Sequence, residues 1–180
     1  MFRTARRIFI ERKAARYSGT QRLLHWLVVV LCLSQIPTSW AIDRSHVAHV
    51  FNLKQDPVDL FFHQVHIWVG ISIAFFALAR LVLRFSHGVP ALPEATSKAM
   101  RMASGAMHVA LYALLGLAPL AGFMAAYVSG LFAPFHKALN WTLLALALIH
   151  VAAALWHHFV LGDGVLKSMT GSKGSKDQSG

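Results

Sequence analysis

The chain has 180 residues, 56% of them hydrophobic and only 13% charged, with a mean hydropathy of +0.52 and a formal net charge of +10. Soluble domains carry roughly 25% charged residues, so this composition excludes an ordinary soluble domain and indicates a single membrane-embedded one. The lone cysteine, Cys32, excludes an internal disulfide framework, a multi-cysteine cluster site and a Cys-x-x-Cys-His motif; inside an apolar run it reads as a small buried hydrophobe.

Residues 1–22 hold Arg3, Arg6, Arg7, Arg12, Lys13, Arg16 and Arg22 against one acid, Glu11. Such an arm has the composition of a signal or transit peptide, but the following apolar run is longer than a signal sequence needs and its cleavage site is poor. The arm is therefore expected to remain as a cytoplasmic extension. A first apolar span is predicted over Leu23–Ile42, with Pro37 near its outer end. A polar loop over 43–59 follows, then a second span over Leu60–Leu83 that exits through Arg80 and Arg84. After a short basic loop, the third span covers Ala103–Val128, where Pro119 is expected to introduce a kink. The uncharged connection Ser129–Pro134 leads into a fourth span, Phe135–Leu161, and a Gly/Ser/Lys-rich tail from 162 to 180, expected to be disordered beyond Met169.

The predicted fold is thus all-α: an integral membrane four-helix bundle over 23–161, flanked by the arm and the tail. Nearly all Lys and Arg residues fall in the arm, the second connection with its flanking arginines, and the tail; the other connections hold only Arg44, Lys54 and Lys137. By the positive-inside rule both termini are cytoplasmic.

Eleven histidines are present, and their depth matters more than their number. An ionisable residue at membrane depth is a functional hypothesis, because hydrocarbon compensates no polar group. His136 and His150 are 14 residues apart in the fourth span, nearly four helical turns, which puts them on one face about 21 Å apart. His25 enters the first span on the cytoplasmic side, and His66 enters the second on the outer side. Pairing by depth gives His25 with His150 and His66 with His136, each pair suited to hold one iron through neutral imidazoles, as in bis-histidine haem ligation. His63, one turn before His66, competes for the outer iron, and His108 in the third span rivals His25. His157, two turns beyond His150, is a candidate contact for a haem carboxylate or a quinone head group, or with His158 an interfacial pair. His46, His49 and His87 read as solvated loop residues. Gly70, Gly105, Gly116 and Gly122 would let a flat macrocycle approach, or simply let helices pack closely. Arg80 and Arg84 could pair with haem carboxylates or snorkel at the helix end.

The stretches Arg22-Leu23-Leu24-His25-Trp26, His66-Ile67-Trp68-Val69-Gly70-Ile71-Ser72, Arg80-Leu81-Val82-Leu83-Arg84, His108-Val109-Ala110-Leu111-Tyr112, Pro119-Leu120-Ala121-Gly122 and the His136–His158 run through Gly171 occur in an order and at depths that carry a family resemblance. The sequence resembles the bacterial cytochrome b561 family, small four-helix di-haem cytochromes related to the cytochrome b subunits of hydrogenases and formate dehydrogenases. The resemblance covers roughly residues 17–171. It implies two haem b groups ligated by His25 with His150 and by His66 with His136. It implies electron transfer across the bacterial inner membrane between a periplasmic donor, superoxide among the small-molecule possibilities, and ubiquinone or another quinone. By similarity His157 and the basic residues at the inner helix ends become quinone-site candidates. The connection between spans three and four is shorter than in many members, which bears on access to the outer haem. Two rival readings follow: a haem-bearing anchor and relay for a partner dehydrogenase or hydrogenase, and a haem-free histidine-rich zinc site or transporter. The second is disfavoured by spans that hold few carboxylates.

Overall fold

The computed structural model describes residues 17–90, 96–162 and 165–171. These form α1 (Gly19–Val50), α2 (Pro57–His87), α3 (Lys98–Tyr127), a 3-10 turn (Gly130–Phe132), α4 (Ala133–Phe159) and a short α5 (Val165–Thr170). No strand occurs among the described residues. The four long helices are each long and apolar enough to cross a membrane. The start of α1 and the end of α4 in this antiparallel run therefore lie on one side, here called the terminal side. The arm expected over 1–22 falls mostly on residues 1–16, outside the described residues, as does the tail beyond Gly171.

The helix starts are written in short local signals. Ser18 caps α1 and accepts from the Gln21 amide at 3.1 Å, while the Gln21 side chain accepts from the Ser18 amide at 2.9 Å. Asp56 caps α2 ahead of Pro57, whose missing N–H costs nothing in the first turn, and Ser97 caps α3. One expectation changes, and the tail gains a short helix. The predicted loop over 43–59 is helical as far as Val50, because Arg44 and Ser45 find partners on α2 that hold the extra turns. Arg44 forms a bidentate ion pair with Asp59 and Ser45 Oγ meets His63 Nδ1 at 3.2 Å, while Gln55, just before α2, donates to the Ser45 carbonyl at 3.4 Å. The tail is helical over Val165–Thr170: Trp26 Nε1 donates to the Met169 carbonyl at 3.3 Å, pinning α5 against α1. The helices run without interruption through Pro37 and Pro119.

Close backbone packing runs α1 with α2, α2 with α3 and α3 with α4. Within membranes such packing rests on small residues and interhelical hydrogen bonds rather than on exclusion of water. Ala41, Ala77 and Ala118 are accordingly among the most buried residues. The Gln21 amide bridges α1 to the Gly88 carbonyl at the end of α2, at 3.1 Å. The central core joins Val28, Ile73, Ala77 and Leu115, with Cys32, Val69, Phe76 and Leu143 packed against it. No residue of α4 is fully buried. A ring of exposed Leu, Val, Phe and Trp surrounds the bundle, as lipid contact requires. Trp26 and Trp40, both exposed on α1, are 14 residues and so about 21 Å apart, a spacing suited to the two interfaces.

Candidate functional site

Two levels of histidine lie above and below the core layer. At the level far from the termini, His66 of α2 and His136 of α4 face each other with ring centroids 6.2 Å apart and planes at 81°. Two imidazoles on opposite sides of one metal would have centroids roughly 6 Å apart, given metal–nitrogen bonds of about 2.0–2.1 Å. Helices α2 and α4 meet here through side chains, not through close backbone packing.

The tautomers follow from the neighbours. His136 Nδ1 donates to the Ala118 carbonyl of α3 at 2.8 Å. A carbonyl can only accept, so Nε2 of His136 keeps its lone pair. Thr38 Oγ1 lies 3.0 Å from both the Ser34 carbonyl and His66 Nδ1. With the hydroxyl proton on the carbonyl, the ring N–H donates to Oγ1 and His66 too presents an unprotonated Nε2. Such hydrogen bonds fix a ligand's tautomer and orientation and raise its basicity. Two glycines make room for the supports. A Cβ on Gly122 would stand 2.9 Å from His136 Cε1, and one on Gly70 would stand 3.3 Å from the Gln35 amide, which donates to the His66 carbonyl at 3.0 Å. Asn140, one turn after His136, donates to its carbonyl at 2.8 Å and lies beside the ring. Gly105 and Gly116 have nothing within 4 Å of an added Cβ. Of the four glycines, these two have the open space beside them that a flat group would use.

At the terminal-side level the arrangement is less paired. His150 of α4 meets His108 of α3, with ring centroids 5.4 Å apart and planes at 81°. His108 Nδ1 donates to the Ser104 carbonyl of its own helix at 2.6 Å. His25 of α1 belongs to the same level, but the ring it stacks on is that of Trp26, at 5.3 Å. His25 Nδ1 is buried without a hydrogen-bond partner. Nearby, the Arg80 guanidinium lies over the Tyr112 ring, 5.7 Å from its centroid. Tyr17 lies near both Arg80 and Arg84, and burial pushes its phenol above the ordinary value of 10.0. His157 sits half-buried in the last turn of α4, two turns beyond His150. His63, the rival at the far level, turns instead to α1, where its ring meets His46.

The sequence reading missed Thr38, Gln35, Ala118 and Tyr17. Asn140 carried a signal, standing one helical turn from His136. Thr38, Gln35 and Ala118 reach their histidines from other helices, and Tyr17 lies by Arg80 and Arg84. The residues present fit bis-imidazole ligation at the far level, where the two ring centroids stand at the required separation. At the terminal-side level three imidazoles and an unpartnered buried nitrogen supply the donor chemistry. Among the described residues no group of three or more His, Cys, Asp or Glu side chains could hold a bare metal ion. An iron carried by its own macrocycle suits two axial imidazoles better than a protein-only cage does.

The family model for prokaryotic cytochrome b561 matches residues 16–172. A protein described as cytochrome b562 from Cereibacter sphaeroides is 31% identical over 158 residues, covering 85% of this chain and 94% of the relative. A second relative, cytochrome b561 homolog 2 of Escherichia coli K12, is 24% identical over 187 residues, covering 89% and 94% of the two chains. The chain belongs to the prokaryotic cytochrome b561 family: it is a multi-pass protein of the bacterial inner membrane, a haem b cytochrome that transfers electrons.

Proposed function

We propose that the chain carries electrons across the inner membrane, between a periplasmic donor and the quinone pool, by way of two bis-histidine haem b groups. His66 and His136 hold the outer group; His25 and His150 hold the inner one. Both termini are cytoplasmic in this reading, which the charge supports: Arg22, Arg80, Arg84, Lys98, Arg101 and Lys167 all lie on the terminal side.

The observation that carries the proposal is the facing pair His66 and His136, whose Nδ1 atoms are bonded to Thr38 and to the Ala118 carbonyl, so that Nε2 is the edge a metal would take once Asn140 Nδ2, 3.2 Å from His136 Nε2, turns aside. Bound haem supplies a one-electron iron couple. The chain supplies the rest. Thr38 and the Ala118 carbonyl hold the outer imidazoles in the ligating tautomer, and Gly122 lets His136 lean on α3. The core layer around Leu143 keeps water from the space between the levels. On the inner side Arg80 and Arg84 offer cations for haem carboxylates, and His157 is placed to meet a quinone head group.

Haem content and midpoint potential of purified variants test the ligands. His66→Ala and His136→Ala are expected to remove the outer haem alone, and His25→Ala and His150→Ala the inner one. Loss of the outer haem in His63→Ala, or of the inner haem in His108→Ala with retention in His25→Ala, would reassign the ligand. Reduction of a quinone analogue that is lost in His157→Ala, with both haems present, tests the quinone site.

A further inference from the structure

One turn further from the membrane centre than His66, the rings of His63 on α2 and His46 on α1 meet, with centroids 5.5 Å apart and planes at 69°. Neither residue serves the ligand pairs above. Ser45 Oγ lies 3.0 Å from the Ile42 carbonyl and 3.2 Å from His63 Nδ1. With the hydroxyl proton on the carbonyl, the ring N–H donates to Oγ and His63 Nε2 is left unprotonated, which is the form a metal binds. Ser45 is buried, so the bond that orients His63 is sheltered even though His46 is exposed. Two imidazoles sharing one tetrahedral ion would have centroids roughly 5 Å apart, given metal–nitrogen bonds of about 2.0–2.1 Å.

The neighbouring charges narrow the choice of ion. Asp59, one turn before His63 on α2, is held by both Arg44 nitrogens. Asp43 is paired with Lys137 at 2.9 Å. Without a carboxylate to spare, the pair offers neutral nitrogen only, which disfavours Mg²⁺ and Ca²⁺ and favours Cu²⁺, then Zn²⁺. With two protein ligands the ion keeps solvent positions and exchanges.

We propose that His46 and His63 form an exchangeable two-imidazole site for a divalent transition-metal ion of the copper and zinc class, on the exposed end of the α1–α2 pair beside His66. Binding itself does not depend on the haem assignment. Its effect on the outer haem does rest on the function proposed above: a dication one helical turn from His66 favours the reduced, less positive iron and raises the outer midpoint potential.

The test uses the haem-loaded protein in detergent, free of affinity-tag histidines, titrated with Cu²⁺ and followed by electron paramagnetic resonance. One Cu²⁺ per chain is expected, with hyperfine splitting from two nitrogens. His46→Ala and His63→Ala should each weaken binding roughly tenfold or more, and Ser45→Ala by a smaller factor, all with haem content unchanged. His87→Ala, at the opposite end of α2, should bind as the unaltered protein does. Absence of stoichiometric Cu²⁺ binding, or binding undiminished in both histidine variants, overturns the proposal. So does haem loss in His63→Ala, since it would make His63 an axial ligand. Failure of the His66 and His136 assignment would appear separately, in the haem content of those two variants.

Discussion

Gly122→Ala adds one methyl group where the His136 ring leans on α3. The new Cβ would stand 2.9 Å from Cε1 and 3.0 Å from Nδ1, and ordinary contact begins at 3.4 Å, so the ring must retreat by about 0.5 Å. It cannot do so freely. Nδ1 is bonded to the Ala118 carbonyl at 2.8 Å, one turn earlier on the same helix that carries the intruding methyl. Either that bond lengthens or α4 moves away from α3. Ligand positions matter at the level of about 0.2 Å, and loss of an orienting partner costs roughly 10–100-fold in affinity. Gly122→Ala is therefore expected to lose the outer haem, or to hold it with a shifted midpoint, while the inner haem stays. Haem stoichiometry with a redox titration resolved into two components provides the assay. Gly19→Ala is the control: an added Cβ meets nothing within 4 Å in the first turn of α1, outside the histidine levels, and the helix gains at most about 1 kcal/mol of propensity. A Gly122→Ala protein with two haems at unchanged potentials would refute the argument that this glycine positions His136.

Thr38→Val keeps the shape of the side chain but strands the His66 Nδ1–H, at a cost of about 1–3 kcal/mol; the outer midpoint should rise as the imidazole becomes less basic, which potentiometry would detect. Leu143→Ala opens space in the core layer and should lower thermal stability by about 2 kcal/mol, the low end for a side chain only partly buried, with haem content intact. Tyr17 carries a pH signature. Burial raises its folded pKa above 10.0, partly offset by Arg84, so the unfolded chain loses the phenol proton first. Its contribution is complete below pH 10.0 and lost as pH rises through the folded value. Tyr17→Phe should therefore flatten alkaline unfolding above pH 10, followed by circular dichroism; an unchanged profile would show that the phenol does not titrate with the fold.

The spans were legible because each is a long apolar run; the caps that open three of them, Ser18 with Gln21, Asp56 before Pro57, and Ser97, set where the helices start. The extra turns of α1 were not, since Asp43, Arg44, Ser45 and His46 look like a loop until Asp59 and His63 of α2 supply their partners. The short α5 is similarly fixed by Trp26, more than a hundred residues away. At the site, the His136–His150 spacing is a property of one helix and can be read from the chain. The pairing of His66 with His136 also follows from depth. What depth does not decide is the terminal-side level, where His25 and His108 approach His150 from different helices. The acceptors that select each tautomer escape sequence reading for a related reason: one of them, Ala118, acts through its backbone carbonyl.

Leu143 stands seven residues from both His136 and His150, two turns from each, and packs against the core. Apart from Lys137, which adjoins His136 at the outer end and is paired with Asp43, nothing titratable on α4 lies between the two histidines, so that helix offers a proton no stepping stone along the face an electron would use. In the proposed function, one elementary charge would travel about 21 Å of a roughly 30 Å dielectric uncompensated. A full crossing is worth about 2.3 kcal/mol per 100 mV, so this fraction corresponds to about 1.6 kcal/mol. The resting voltage of the membrane would thus bias the distribution of electrons between the two ends of the molecule, and electron flow through it would charge or discharge that voltage.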